Sequence, residues 1–338
     1  MDGKVTRRLL TVLAVVTLLT SVATSCGSDG GKKQKSVSSM TMVCDEAFRN
    51  IMDQEIEVFE YVCPDNFVLC NYVPQSVAVD SLLSGRTRNA VIGRDLTPLE
   101  RKALKQKFSS VRSMKIAVDA VALIVNPENQ ISSLSLKEIS QILTGDITRW
   151  NQISPDGADA PINVVFDNRG SGLATYMRDS LLNGRDFAKN VVSIGSVEKV
   201  FNTVRDRKDA IGVIGVSWLT RSLEERDSIA ISERVADLQK GEAVNGVEIN
   251  ERMDNSGVKV LAVMRNDALS YKPYQQYIYD GNYPLTRPIY LISTAGMVGC
   301  AHRFYAFITG NDGQRLIMRT GVMPARMQIN VYEVTTGK

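Results

Sequence analysis

The sequence predicts an α/β fold built on a largely parallel sheet. Short runs of Val, Ile, Leu and Phe alternate with segments whose apolar residues recur at helical spacing. The chain has 338 residues, of which 44% are hydrophobic and 23% charged, the balance of a globular protein rather than of a disordered or coiled-coil one. That length suits about two domains.

The elements follow in order. Residues 40–44 form a short apolar run, followed by an acidic helix start at Asp45 and Glu46. Phe48, Ile51, Met52, Ile56 and Phe59 then recur at helical spacing. Residues 67–72 read as a strand, 76–83 as a helix ending near Gly85, and 90–93 as another strand. Pro98 stands at the first position of a helix over 97–107. Residues 116–125 are a long extended run rich in Val, Ile and Ala. Ser135 and Glu138 form a capping box, with Leu136, Ile139, Ile142 and Leu143 on one face of a helix that Gly145 ends. A strand over 162–166 runs straight into Asp167-Asn168-Arg169-Gly170-Ser171-Gly172 and a helix over 173–182. Val197, Val200, Phe201 and Val204 mark another helix, and 210–216 a strand. Residues 235–257 are polar and read as a loop. Strands over 258–263 and 290–293, then helices over 303–308 and 313–319, complete the chain. No internal repeat is present.

The N-terminus sets the compartment. Lys4, Arg7 and Arg8 precede an apolar stretch over 9–22, and Ala23, Thr24 and Ser25 lead into Cys26. This is the layout of a secretory signal over 1–25, and its apolar run is short for a retained membrane helix. A cysteine directly after small residues resembles a bacterial lipoprotein lipobox, although Ala23 stands where Leu is preferred. Cys26 is thus the expected lipidation site. Residues 26–39 are polar and rich in Gly, Ser and Lys, the composition of a flexible tether. The rest is expected to lie outside the cytoplasm, held at a membrane by its anchor. There a disulfide is permitted. Cys63 and Cys70 flank a Pro-Asp-Asn turn signal and are the candidate pair; the alternative is that Cys44, Cys63, Cys70 and Cys300 all stay free thiols.

Forty basic residues against 37 acidic ones leave a charge of +3, without the basic footprint of a nucleic-acid binder. His302 is the one histidine, which counts against a His-built metal site, and without CxxC a zinc site is not expected. The P-loop, GxGxxG, HExxH and G-x-S-x-G patterns are all absent. A Ser-His-Asp hydrolase would have to use His302, which sits in a helical stretch. No enzyme, cofactor or metal is therefore expected. Trp150, Trp218 and the tyrosines at 271, 274, 277, 279 and 283 read as packing residues rather than as a ligand platform.

The informative segment is Arg169-Gly170-Ser171-Gly172, between a strand and a helix. Glycines admit close approach of a ligand to the backbone. The helix start offers unpaired N–H groups and the positive end of its dipole. Ser171 adds a hydroxyl and Arg169 a forked cation suited to tetrahedral oxyanions. Together they form an anion site, or a capped turn with a solvated arginine.

This loop resembles the oxyanion loop of PstS-type phosphate-binding proteins, the substrate-binding components of ABC phosphate importers. Other segments match that family in order. They are Val91-Ile92-Gly93-Arg94-Asp95-Leu96-Thr97, the run at 117–126, the helix and turn at 136–150, Ala210-Ile211-Gly212-Val213-Ile214-Gly215-Val216-Ser217, and Tyr283-Pro284-Leu285-Thr286-Arg287-Pro288. The resemblance spans roughly 40–335. It implies a type 2 periplasmic-binding-protein fold: two α/β lobes, joined by two crossing strands near 119–126 and 284–292, close on a ligand. Lobe one would comprise 40–118 plus 293–338, and lobe two 119–292.

The resemblance implies ligand contacts from Asp45, Glu46, Ser76, Arg94, Arg169, Gly170, Ser171 and Gly172. The sequence departs from the family pattern at several of these places. The family's loop arginine corresponds to Asp167, with Arg169 as a substitute, and its threonine after Ser-Gly is Leu173. Asp45 and Glu46 replace a Gly-Ser-Thr turn, and carboxylates near an oxyanion oppose it. One carboxylate could instead accept a proton from phosphate and reject sulfate. The expected function is capture of phosphate by a monomeric binding protein that delivers it to an ABC permease. The alternatives are a sensor or surface lipoprotein with an altered or lost site, or a binder of another oxyanion or phosphorylated ligand.

Overall fold

The computed structural model describes residues 37–155, 157–220, 230–240, 246–265, 269–296 and 298–326. The signal segment, Cys26 and most of the tether lie outside the described residues. Among the described residues no helix is long and apolar enough to cross a membrane.

The strands are β1 Ser38–Asp45, β2 Asn66–Val73, β3 Asn89–Ile92, β4 Arg112–Val125, β5 Ser133–Ser135, β6 Asn163–Phe166 and β7 Val191–Ser193. They continue with β8 Ala210–Gly215, β9 Lys259–Val260, β10 Ala262–Met264, β11 Ser270–Tyr271, β12 Thr286–Ser293 and β13 Met323–Pro324. The main sheet runs β2-β1-β3-β12-β4-β8-β6-β7, with β9 and β13 attached to β4. β1 is parallel to β2 and β3, and β6 is parallel to β7 and β8. β4 and β12 are antiparallel to their neighbours. β4 serves both ends of the sheet, because its first residues pair with β12 and its last five, from Val121, pair with β8. The halves thus share one long strand, and the chain passes between them along β4 and β12.

Local sequence explains the elements. β1 alternates at its start, with Met40 and Met42 inward, then is buried on both sides from Val43 as it becomes a central parallel strand. Helix Arg49–Val62 buries Ile51, Met52, Ile56 and Phe59, and the Phe59 ring meets Phe304 edge-on at 5.2 Å. The Ser135 box forms as expected, and Thr97 and Glu100 make a second one. Gly145 closes its helix at φ 83°, a conformation glycine adopts without strain.

Three expectations are corrected. Residues 235–257 are not a loop: helices Ile231–Gln239 and Gly246–Asp254 occupy much of that stretch. Val235 and Leu238 pack with Val58 and Leu316, and Ile249 and Met253 join the main core, so sparse apolar pairs suffice at helical spacing. The last long strand begins at Thr286 rather than 290 and runs through Pro288, the residue that hid it. Cys63 and Cys70 are free, as are Cys44 and Cys300. Cys63 ends a helix, and its carbonyl accepts from Asn66 N–H where β2 begins. Cys70 lies within β2, four residues, or roughly 13 Å at ~3.3 Å per residue, beyond the Asn66 at its start.

Candidate functional site

The carboxyl ends of the parallel strands converge between the halves of the sheet, where ligands bind in open α/β folds. β1 ends at Asp45, β2 leads into Pro74 and Gln75, and β3 leads into Gly93. From the other half, β6 leads into Asp167 and the helix Gly172–Leu181, and β8 leads to Ser217. The antiparallel strands add Asp119 from β4 and Arg287 from β12, which are register partners.

Arg287 is the centre of the site. Its side chain is 0% exposed, and Asp45 and Asp119 beside it are 0% and 1% exposed. Its Nε and Nη2 donate to Asp119 Oδ2 at 3.1 and 3.0 Å. Its Nη1 lies 3.9 Å from Asp45 Oδ2 and has no hydrogen-bond partner. The Phe48 ring lies 4.4 Å from the guanidinium and supplies a cation–π face. Asp45 also takes the first N–H of the helix Gly172–Leu181, from Gly172 at 3.1 Å, and the Ala47 N–H at 3.3 Å. Gln75 Oε1 accepts from Gly93 N–H at 2.7 Å.

The halves meet tightly. A Cβ at Gly172 would collide with Asp45 Oδ2 and lie 2.8 Å from Gln75 Oε1 and 3.0 Å from Arg287 Nη1. Only glycine lets that helix start come so close. Further bonds cross between the halves. Asn168 Nδ2 donates to Glu46 Oε2 at 3.0 Å, Trp218 Nε1 to the Ala47 carbonyl at 2.9 Å, and Ser76 N–H to the Gly170 carbonyl at 3.3 Å. Trp218 is thus a buried bridge between the halves, while Trp150 is buried in the core, as expected of packing residues. Tyr271 and Tyr274 each pack on Tyr277.

Three carboxyls surround one guanidinium. Burial pushes Asp45 up to about 7; Arg287 opposes this, nearby Asp167 adds to it, and the Ala47 and Gly172 amides oppose it. Burial likewise raises Asp119 against the opposing pull of Arg287. Burial raises Asp167 too, opposed by the Ser171 hydroxyl, the Asn168 amide and Arg287. Neither Asp167 oxygen has a partner at hydrogen-bond geometry. With all three ionised the cluster would carry two net negative charges in a site closed to water.

The structure brings together only part of the residue set the sequence suggested. Asp45 and Gly172 meet directly. Ser171 is buried, and its Oγ accepts from Ala174 N–H at 3.1 Å as the helix cap. Gly170 and Ser76 touch at the mouth, where Ser76 is exposed and the inward side chain is Gln75. Glu46 lies at the rim, paired with Arg49. Arg94 turns away and binds Glu100 through both terminal nitrogens at 2.8 Å. Glu100, fixed in its own capping box, holds that arginine outside the centre. Arg169 is exposed. The arginine at the centre of the cluster is Arg287, which sequence reasoning placed in a matching segment but not in the site. Two signals pointed to this cluster: Asp119 is a lone charge inside the apolar run 116–125, and Arg287 sits beside proline in an extended segment.

Comparison with known proteins identifies the fold that carries this arrangement. The phosphate-binding protein PstS of Pseudomonas aeruginosa is 22% identical over 301 residues, covering 85% of this chain and 83% of the relative. The PstS of Borreliella burgdorferi is 24% identical over 221 residues, covering 63% of this chain and 75% of the relative. Among solved structures, a phosphate-bound substrate-binding protein from Clostridium perfringens superposes with a TM-score of 0.65 at 21% identity, covering 85% of this chain and 100% of that one. An ABC-type phosphate transport receptor from Vibrio cholerae gives 0.59 at 21% identity with the same coverage. The fold is the type 2 periplasmic-binding-protein fold of these proteins. Residues 30–312 match the model of the PBP superfamily domain, and the chain belongs to that superfamily.

Proposed function

We propose that the protein is a solute-binding protein that captures inorganic phosphate between two lobes and delivers it to an ABC permease. The observation that supports this best is the meeting of a helix N-terminus at Gly172 with the fully buried Arg287 between the halves of the sheet. These are an amide donor and a forked cation at one point, the pair an oxyanion needs. The relatives named above are phosphate-binding proteins. On this reading lobe one is 40–118 with 293–338, lobe two is 119–292, and β4 and β12 carry the hinge. The protein binds rather than catalyses. It acts as a monomer outside the cytoplasm, held to a membrane through a lipid on Cys26. Palmitate labelling of producing cells, lost in Cys26→Ala, tests the anchor.

A second reading is favoured by the carboxyls at 45, 119 and 167, which no simple dianion site would carry. The fold then serves a different ligand, as a sensor or surface lipoprotein, or as a binder of another oxyanion or phosphorylated molecule. Calorimetry of the purified protein, unfolded and refolded to strip carried ligand, decides between them. Tight phosphate binding that sulfate does not share supports the importer reading. Silence toward both ions, from protein shown to be folded, refutes it.

A further inference from the structure

The Asp45 carboxylate occupies the point where the Gly172 amide and the Arg287 guanidinium meet. It takes the first amide of the Gly172 helix and is the anion nearest the unpartnered Nη1 of Arg287. Its other oxygen is held only by the Ala47 amide of its own turn. That turn caps a single 3-10 turn, so the side chain can rotate away without breaking a strand or a long helix.

We propose that Asp45 is a built-in competitor for the oxyanion position, and that phosphate enters only as Asp45 leaves the Gly172 amide and takes up a proton. This rests on the phosphate reading above.

The surroundings determine why a proton must accompany the exchange. Arg287 on β12 is already bound to Asp119 on β4 at 3.0 Å, so it has one free nitrogen to share. Asp167, after β6, faces the same space without a hydrogen-bond partner. Cys44 precedes Asp45 on β1 and is buried, and Glu46 follows it at the rim. Gln75 and Gly93 contribute neutral groups, and Tyr176 on the Gly172 helix is close enough to feel the charge of Arg287. An ionised Asp45 pushed aside by phosphate would lose its amide and its cation while gaining an anionic neighbour in a dry cleft. Protonation removes that conflict and makes the carboxyl a donor to the phosphate. Burial already raises Asp45 to about 7, so the proton is accessible at neutral pH.

The test compares wild type, Asp45→Asn and Asp45→Ser. Asn keeps the size of the side chain; Ser is the smaller residue of the related turn and serves if Asn does not fold. Phosphate binding is titrated calorimetrically at pH 8 in buffers of different ionisation enthalpy, which counts the protons taken up. Phosphate titrates in the same range, and its own proton cancels between proteins. The expected result is that wild type takes up close to one more proton per phosphate than either variant. The variants should also bind about tenfold tighter at pH 8, the cost of protonating a group about one unit below the ambient pH, with the gap closing at pH 6. Equal proton uptake and equal affinity in proteins that do bind phosphate overturn the proposal and leave the phosphate reading standing. Failure of all three folded proteins to bind at either pH overturns both.

Discussion

Replacing Arg287 by methionine removes the one cation that the described residues place at the centre of the site, while keeping an unbranched side chain of similar reach. Asp119 then loses two hydrogen bonds, at 3.1 and 3.0 Å, and Asp45 loses its nearest positive charge at 3.9 Å. Breaking a buried ion pair by deleting one partner costs about 3–5 kcal/mol, because the remaining charge stays uncompensated. The loss should depend on pH, and the sign can be worked out. Arg287 lowers the pKa of Asp45, Asp119 and Asp167, so its removal raises all three further. A carboxyl raised in the folded state stabilises while protonated, and that stability drains away as pH climbs through the folded value. For Asp45 the wild-type value is about 7, so at pH 5.5 both proteins hold it protonated. At pH 8.5 the wild type ionises Asp45 beside Arg287, whereas the variant must keep it protonated or leave it unpaired. Each unit of further shift adds ~1.4 kcal/mol to the difference. Urea unfolding at the two pH values should show a loss about 1–2 kcal/mol larger at pH 8.5. Equal losses at both pH values would refute the idea that these carboxyls titrate against Arg287. A loss below about 1 kcal/mol would refute the uncompensated buried charge itself.

Gly172→Ala should weaken phosphate binding at least tenfold while leaving the far-ultraviolet circular dichroism unchanged, because its methyl group would meet Asp45, Gln75 and Arg287 across the cleft rather than its own helix. Asp167→Asn should weaken phosphate binding about tenfold and narrow the preference over sulfate, because an amide oxygen accepts the phosphate O–H less strongly than a carboxylate and loss of a charge-assisted hydrogen bond costs ~1.5 kcal/mol. Titrations with each variant check both. Cys63 and Cys70 should each label with a thiol reagent in unfolded, unreduced protein, and peptide mapping should find no cross-link between them.

What the sequence revealed of this molecule was local. Ser135 with Glu138 announces a helix start because both partners sit within one turn, and Gly145 announces its end for the same reason. The Gly170-Ser171-Gly172 helix start could be read as an anion site because strand, glycines and cap are contiguous. The helices in 231–254 escaped notice because each buries only a pair of apolar residues, and the partners that make burial worthwhile, such as Val58 and Leu316, are far away in sequence. The electrostatic centre was harder still. Asp119 and Arg287 are 168 residues apart and become neighbours only because β4 and β12 pair in register. Arg94 and Arg169 looked equally suitable as ligands; one is taken by Glu100, six residues on, and the other points to water.

Placing the cation on β12 changes how such a site can work. An arginine on the loop after β6 would move with its own half of the sheet and meet the ligand as the halves close. Arg287 instead belongs to one of the two strands linking the halves, fixed there by Asp119 on the other. Each half then brings a carboxyl toward a stationary guanidinium, Asp45 from the end of β1 and Asp167 from the end of β6. On the proposed reading, closure of the lobes gathers negative charge around one cation. That gathering is unfavourable unless protons or a proton-bearing ligand accompany it. A phosphate that carries its own O–H can accept from Arg287 and Gly172 while donating to Asp167, whereas fully ionised sulfate can only accept. On the phosphate reading, the same carboxyls that argue against a simple dianion site thus argue for discrimination by protonation.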